Sequence, residues 1–393
     1  MDAPMNGVGF RKAIPALILL TGMFLLNFMT RVALSPLLSE LEADLAISHA
    51  EAGRLFLFLA LGVSLGSFSN GMVSRRIAHR ATIAASAFMA GIMLTALSFA
   101  RSYALLAGGL FILGLCAGLY FPSGLAAITA TVRKPDWGKA IGVHDTAASL
   151  SFVLIPLFAE LILLAGTWRD ALWVLGAVQA AVAVVYFRKG LGKESFGASP
   201  RPSVLAAIVR TRQFWLLSFF FGIAAGSSLG SFNMLPLYLT TEHGFARETA
   251  NTLVSAARVS GLFMTLVAGY LTDRLGVKAA LRLYFAACAV LTALYGLTSG
   301  PLLIASLFFQ SAVATCFFAP GFTALSRAFA GPSQNVATSV IGLGAAIIGQ
   351  GLVPTMLGAA GSAGHFGLGF VVLGFLLLAC LAMLTLLRDE SVV

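Results

Sequence analysis

Charge is the scarcest commodity in this sequence. Only 10% of its 393 residues are Asp, Glu, Lys or Arg, against 59% hydrophobic ones. A soluble chain carries about a quarter charged residues, because charge holds a folded surface in water. The shortage excludes a chain whose whole surface faces water. Cysteine is nearly as scarce. Cys116, Cys288, Cys316 and Cys380 all fall inside apolar runs, with no Cys-x-x-Cys or Cys/His spacing. They read as small buried hydrophobes, and neither a metal site nor a cofactor is expected. Gly-x-x-x-x-Gly-Lys-Ser/Thr is absent, which excludes the phosphate cradle of an ATP-driven pump, and so is His-Glu-x-x-His. His144 beside Asp145 is the one approach to a nucleophile–base pair, and it lacks a nucleophile, so no enzymatic activity is expected.

What the chain does have is a succession of apolar runs of about 20 residues, the length at which a helix crosses a bilayer. Lipid offers the backbone no hydrogen bonds, so spanning segments are helices or closed barrels. Barrel strands would show short alternating segments instead. The pattern predicts an all-α membrane protein of twelve spans: 13–38, 51–73, 82–100, 104–130, 139–163, 169–187, 213–240, 248–271, 279–298, 301–328, 336–358 and 364–387. The first run is too long for a signal-peptide core and is followed by many like it, so it is read as a retained span.

The net charge is +10. A basic chain can bind nucleic acid, but these basic residues sit in the short gaps between spans, as the positive-inside rule places them. Only Arg54, Arg101, Arg169 and Arg247 fall at one side and Arg31 and Arg258 within spans; the rest of the 25 lysines and arginines gather at the other side. That bias predicts an inner-membrane protein with both termini cytoplasmic, embedded in lipid and not bound to nucleic acid. The longest polar stretch, 188–212, divides the spans six and six. It is expected to be a cytoplasmic linker between bundles at 1–187 and 213–393.

The halves repeat at an offset of about 200 residues. Gly71-Met72-Val73-Ser74-Arg75-Arg76 after span two matches Gly269-Tyr270-Leu271-Thr272-Asp273-Arg274 after span eight. Tyr120-Phe121-Pro122 matches Phe318-Ala319-Pro320, and Gly142 and Pro156 match Gly342 and Pro354. Ser35-Pro36-Leu37 in span one matches Leu235-Pro236-Leu237 in span seven. Prolines at corresponding depths in two halves mark repeat-built transporters. The run Gly269 to Lys278 resembles the loop signature of the major facilitator superfamily, Gly-x-Leu-x-Asp-Arg-x-Gly-Arg-Lys, and the resemblance covers the whole chain. It implies two pseudo-symmetric six-helix bundles around a cavity, working by alternating access, with Gly269, Asp273, Arg274 and Gly276 as a gating loop. In the first copy Arg75 replaces the aspartate and Ala78 the second glycine, which puts the bracing role there in doubt. Asp273 keeps that role and is expected to face the positive end of span five, near Lys139.

An ionisable side chain at the centre of a span costs about 2.5–3.5 kcal/mol, so each one is paired, snorkelling or functional. Arg258 lies near the middle of span eight, and no acidic residue lies deep in any C-terminal span. It reads as an anion contact, since a guanidinium grips carboxylate or phosphate with two hydrogen bonds; pairing with backbone carbonyls is the plainer reading. Its position resembles the span-eight arginine of oxalate/formate and monocarboxylate transporters. Arg31 shares a helical face with Asn27 and is read as a second anion contact or as a partner of Glu160. Tyr120, Asn233 and Gln310 are polar residues on spans that line the cavity in the family, and interhelical hydrogen bonding is their plainer role. Glu160, Asp145 and His144 are the candidates for proton coupling, though His144 and Asp145 also fit wet positions near a helix end.

The chain is thus expected to be a monomeric secondary transporter that moves a small organic anion, a carboxylate by preference, in symport with protons. A proton-driven exporter of lipophilic compounds is the alternative; the exporter span-five motif keeps Pro156 here but loses its glycines. A receptor built on the same fold would need large extensions beyond the short termini.

Overall fold

The computed structural model describes residues 7–193, 195–197, 202–329 and 332–387. Arg201 and Arg388, counted above with the basic side, and part of the 188–212 stretch lie outside them. Among the described residues twelve helices are long and apolar enough to cross a membrane. They are α1 (Phe10–Leu45), α2 (His49–Arg76), α3 (His79–Leu97), α4 (Tyr103–Thr131), α5 (Lys134–Leu163), α6 (Trp168–Lys189), α7 (Arg212–Thr241), α8 (Arg247–Leu275), α9 (Val277–Leu297), α10 (Gly300–Ala328), α11 (Val336–Ser362) and α12 (Phe366–Leu386). The all-helical, twelve-span expectation therefore holds. α1 runs past its predicted end: a tight 3₁₀ turn at Ser35–Leu37, set by Pro36, re-aims the chain into Leu38–Leu45. Within 188–212, Pro202–Val209 form a two-turn helix, and the Thr211 hydroxyl accepts the Phe214 N–H to cap α7.

The chain divides into two compact units. One takes the described residues of Met1–Ala33 and Leu61–Ser199, the other those of Leu34–Ala60 and Pro200–Val393. In the first, α3 packs along α6 and α1 along α5. In the second, α9 packs along α12 and α7 along α11, the same pairings six helices later. The closest approaches repeat too. A Cβ added at Gly91 of α3 would stand 2.5 Å from the Gly176 carbonyl oxygen of α6, and one added at Gly296 of α9 would overlap the Gly367 carbonyl of α12. Small residues there let the helix backbones touch, which is how helices gain packing energy where lipid gives no hydrophobic drive.

The second unit includes the far ends of α1 and α2. The Ser35 hydroxyl donates to the Phe232 carbonyl (2.8 Å), Asn251 Nδ2 to the Pro36 carbonyl (3.1 Å) and Arg247 Nη1 to Glu40 Oε1 (2.5 Å). Ala50 N–H donates to the Ser362 hydroxyl at 2.8 Å. Amphipathic polar groups on Leu34–Ala60 thus fasten this segment to α7, α8 and α11.

Two details bear on the loop signature. Gly276 sits at φ +82°, a backbone conformation that side chains strain to adopt, whereas its counterpart Ala78 sits at φ −58°. The glycine of the second copy is there because its turn requires one; the first copy turns differently and tolerates alanine. Asp273 and Arg274 are exposed, with the Arg274 guanidinium 5.3 Å from the Tyr270 ring centre.

Candidate functional site

The second unit builds a polar cluster around a defect in α7. At Gly226–Gly230 the helix widens into a π turn, and α11 does the same at Ala346–Leu352. The two turns pack on each other: a Cβ added at Gly230 would stand 2.5 Å from the Gly349 carbonyl oxygen. Widened turns interrupt the regular hydrogen-bond ladder and occur often at functional sites. Here side chains from neighbouring helices take up the carbonyls. Gln310 Nε2 of α10 donates to the Ser227 carbonyl (2.8 Å) and to the Thr292 hydroxyl of α9 (3.3 Å). Arg258 of α8 donates from Nη2 to the Ser228 carbonyl (2.5 Å) and from Nη1 to the Ser228 hydroxyl (3.2 Å). The Tyr295 hydroxyl of α9 donates to Gln310 Oε1 at 2.9 Å.

Arg258 is 5% exposed. Its guanidinium carbon lies 5.1 Å from the centre of the Phe232 ring, one turn beyond Ser228 on the same face of α7. An aromatic face and two oxygens of one residue thus hold a full positive charge in a nearly dry site. Asn233 is buried beside this stretch, and its Oδ1 accepts no hydrogen bond among the described residues. Sequence reasoning pointed to Ser227 in span seven but missed Tyr284 and Tyr295 as members of the cluster; Ser227 Oγ lies 3.1 Å from the Tyr284 hydroxyl. Buried tyrosines inside spans were the available signal.

The first unit builds a second cluster where α1, α4 and α5 meet. The Tyr120 hydroxyl donates to the Leu20 carbonyl of α1 (2.8 Å) and lies 3.3 Å from His144 Nε2 of α5. The other ring nitrogen, Nδ1, lies 3.1 Å from Asp145 Oδ1. Phe24 stacks on the imidazole at 4.4 Å between ring centres, nearly parallel. His144 is fully buried and Asp145 is 53% exposed, so the two neighbours face different surroundings. Asn27 Nδ2 donates to the Ala117 carbonyl at 3.3 Å, a second tie from α1 to α4.

Glu160 lies apart from this cluster. It is fifteen positions beyond Asp145 in one helix, which is about 22 Å along the axis. The Ser151 hydroxyl donates to the Leu25 carbonyl, and the Phe28 and Phe152 rings meet edge to face. That register puts Arg31 and Glu160 on the same side of it, toward the opposite end of α1 and α5 from His144. The Arg31 guanidinium lies 4.9 Å from the Phe28 ring centre.

A family model described as Major Facilitator Superfamily matches residues 20–299 and 223–392. The probable nitrate/nitrite transporter NarK2 of Mycobacterium tuberculosis is 28% identical over 274 residues, covering 67% of this chain and 67% of that protein. The probable sulfoacetate transporter SauU of Cupriavidus necator is 24% identical over 272 residues, covering 64% and 63%. Among solved structures, a bacterial homolog of the human lysosomal transporter Spinster, inward-facing and unoccupied, superposes with a TM-score of 0.82 at 16% identity over 96% of this chain and 97% of the other. That last likeness is one of fold.

Proposed function

We propose, given that this chain belongs to the Major Facilitator Superfamily and so is a secondary transporter, that its substrate is a small organic anion or similar oxyanion and that its transport is coupled to protons. The observation that carries this reading is Arg258: a guanidinium 5% exposed, held against α7 by a carbonyl, a hydroxyl and an aromatic ring. Guanidinium stays charged in any such site, and its two-pronged donor geometry matches carboxylate, sulfonate and nitrate alike. The relatives are a probable nitrate/nitrite transporter and a probable sulfoacetate transporter, and these small anions share that geometry.

In this reading Arg258 is the principal anion contact, with Asn233 and Gln310 orienting the substrate, and Arg31, Asn27 and Tyr120 serve the first unit. Glu160 or the Asp145–His144 pair binds the coupled proton. The bundles 1–187 and 213–393, joined by 188–212, exchange access as a monomer in the inner membrane with both termini inside. Gly269, Asp273, Arg274 and Gly276 brace the gate.

Thermal unfolding of the purified protein tests this directly. A ligand that binds only the folded state stabilises it by about 2.7 kcal/mol at a hundredfold excess over Kd. Nitrate, sulfoacetate, and small mono- and dicarboxylates are expected to raise the melting temperature, and lipophilic cations to leave it unchanged. Stabilisation by lipophilic cations alone would favour the exporter alternative.

A further inference from the structure

We infer that His144 is the residue that takes up the coupled proton, and that the Tyr120 hydroxyl converts its protonation state into a change of contact between α4 and α1. This rests on the proton-coupled reading above and names its site and its mechanical output.

The argument is one of donor and acceptor parity. The Leu20 carbonyl can only accept, so the Tyr120 hydroxyl, 2.8 Å away, spends its single proton there. The contact from the same oxygen to His144 Nε2 then requires a proton on Nε2. On the other side of the ring, an ionised Asp145 can only accept, so its contact to Nδ1 requires a proton there as well. All three bonds are satisfied together only when one proton beyond a neutral imidazole is present, shared between His144 and Asp145. Remove it, and the set is one donor short. With Nδ1–H kept on Asp145, Nε2 becomes an acceptor and draws the tyrosine proton off the Leu20 carbonyl. The bond from α4 to α1 is exchanged for one from α4 to α5.

Among the described residues, the titratable groups facing the ring are Tyr120 from α4, with Tyr186 of α6 next to that tyrosine, and Asp145 on its own helix. α1 turns the Phe24 ring and the Leu20 carbonyl to it; the charged residues of α1, Arg11, Lys12, Arg31, Glu40, Glu42 and Asp44, stand seven or more positions from Phe24. Asp145 is half-exposed and supplies the route for the proton to a fully buried ring. The Asn27 bond to Ala117 lies two turns along α1 from Leu20 and titrates nothing. Among the described residues, side-chain hydrogen bonds tie α1 to α4 once fixedly and once proton-dependently, about 10 Å apart along its axis, beside the stacking of Phe24 on Tyr120. Losing the second leaves the first as a pivot.

Nitrogen-15 NMR of histidine-labelled protein in nanodiscs tests this without any substrate. The chain has five histidines, and His144→Gln identifies the resonance. We expect a doubly protonated ring in the acid range that loses one proton on titration, and the midpoint to move in Tyr120→Phe and further in Asp145→Asn, the larger effect of losing an opposite charge. A His144 ring that stays neutral with one fixed tautomer from pH 5 to 8, or a midpoint unmoved in both variants, overturns the inference. A second arm uses proteoliposomes and nitrate or sulfoacetate as probe. His144→Gln should lose pH-gradient-driven accumulation of the labelled probe at least tenfold more than it loses downhill exchange. Accumulation at the wild-type level overturns the inference. If neither these probes nor the small carboxylates bind wild-type protein, the substrate reading fails while the NMR arm still decides the proton site.

Discussion

The two units tie the corresponding pair of helices together with different groups. In the first, α1 and α4 are joined by the Asn27 amide of α1 donating to an α4 carbonyl and by the Tyr120 hydroxyl of α4 donating to an α1 carbonyl. In the second, the corresponding helices α7 and α10 are joined by the Gln310 amide of α10 donating to the Ser227 carbonyl of α7. The third participant differs more. The first unit brings in an imidazole whose charge depends on a proton; the second brings in a guanidinium whose charge is permanent. Repetition has kept the helix pairings and the glycine contacts while the charge chemistry diverged. In the proposed function, a scaffold of two similar halves gives the anion to one and the proton to the other.

The sharpest way to break this comparison is at its fixed charge. Arg258→Ala should weaken anion binding roughly 30-fold or more, given the about 2–5 kcal/mol that losing a buried charged partner costs. Arg258→Lys should not restore it, because an ammonium lacks the planar fork. Thermal shift with the probe anions reads both, and a wild-type shift in Arg258→Ala would remove Arg258 from the site.

The shared scaffold predicts equal damage in both halves. Gly91→Ala and Gly296→Ala each force helix backbones apart and should destabilise by about 1–3 kcal/mol. Gly108→Ala meets nothing within 4 Å and should be silent. A large difference between the first two, in denaturant or thermal unfolding, would show that the halves do not bear load alike.

The interhelical ties should differ more modestly. Gln310→Leu strands the Ser227 carbonyl and the Tyr295 hydroxyl and should cost about 1 kcal/mol, whereas Asn27→Leu loses one long bond and should cost about half that. Reversed order in a thermal unfolding series would mean the α1–α4 tie is the stronger one.

The smallest effect lies in the α7–α8 connection. Burial holds His243 below its ordinary value of 6.5, against the opposing pull of Glu242, and its Nε2 lies 2.8 Å from the Tyr238 hydroxyl. A lowered value means the unfolded chain binds more protons than the folded one as pH falls through 6.5, so stability declines on acidification. His243→Gln should flatten that part of the stability–pH curve and leave the neutral range alone.

The spans and the repeat were legible because apolar length and recurring glycine and proline survive in one dimension. Arg258 was legible for the same reason: a charge inside a span stands out. Its partners were not. Ser228 binds it through its hydroxyl and, more closely, through a backbone carbonyl, which no residue code advertises and which lies in the stretch where α7 widens. The Tyr120–His144 contact joins residues 24 apart in different helices, and only the packing of α4 on α5 reveals it. His144 and Asp145 looked alike near a helix end, yet one is sealed and the other half-exposed, a matter of which helical face each occupies. The fastening of Leu34–Ala60 to α7, α8 and α11 was also invisible, since Glu40 and Arg247 are ordinary boundary charges until the fold pairs them.

The π turn of α7 has a consequence for how this helix tolerates change in length. A π turn is one residue inserted into an α-helical winding, and each residue of such a winding advances it by about 100°. Deleting one residue within Gly226–Gly230 would restore ordinary winding and swing everything after it, Phe232, Asn233 and Tyr238 included, to a different side of the helix. A substitution in that stretch edits one side chain, while a deletion re-addresses a whole helical face.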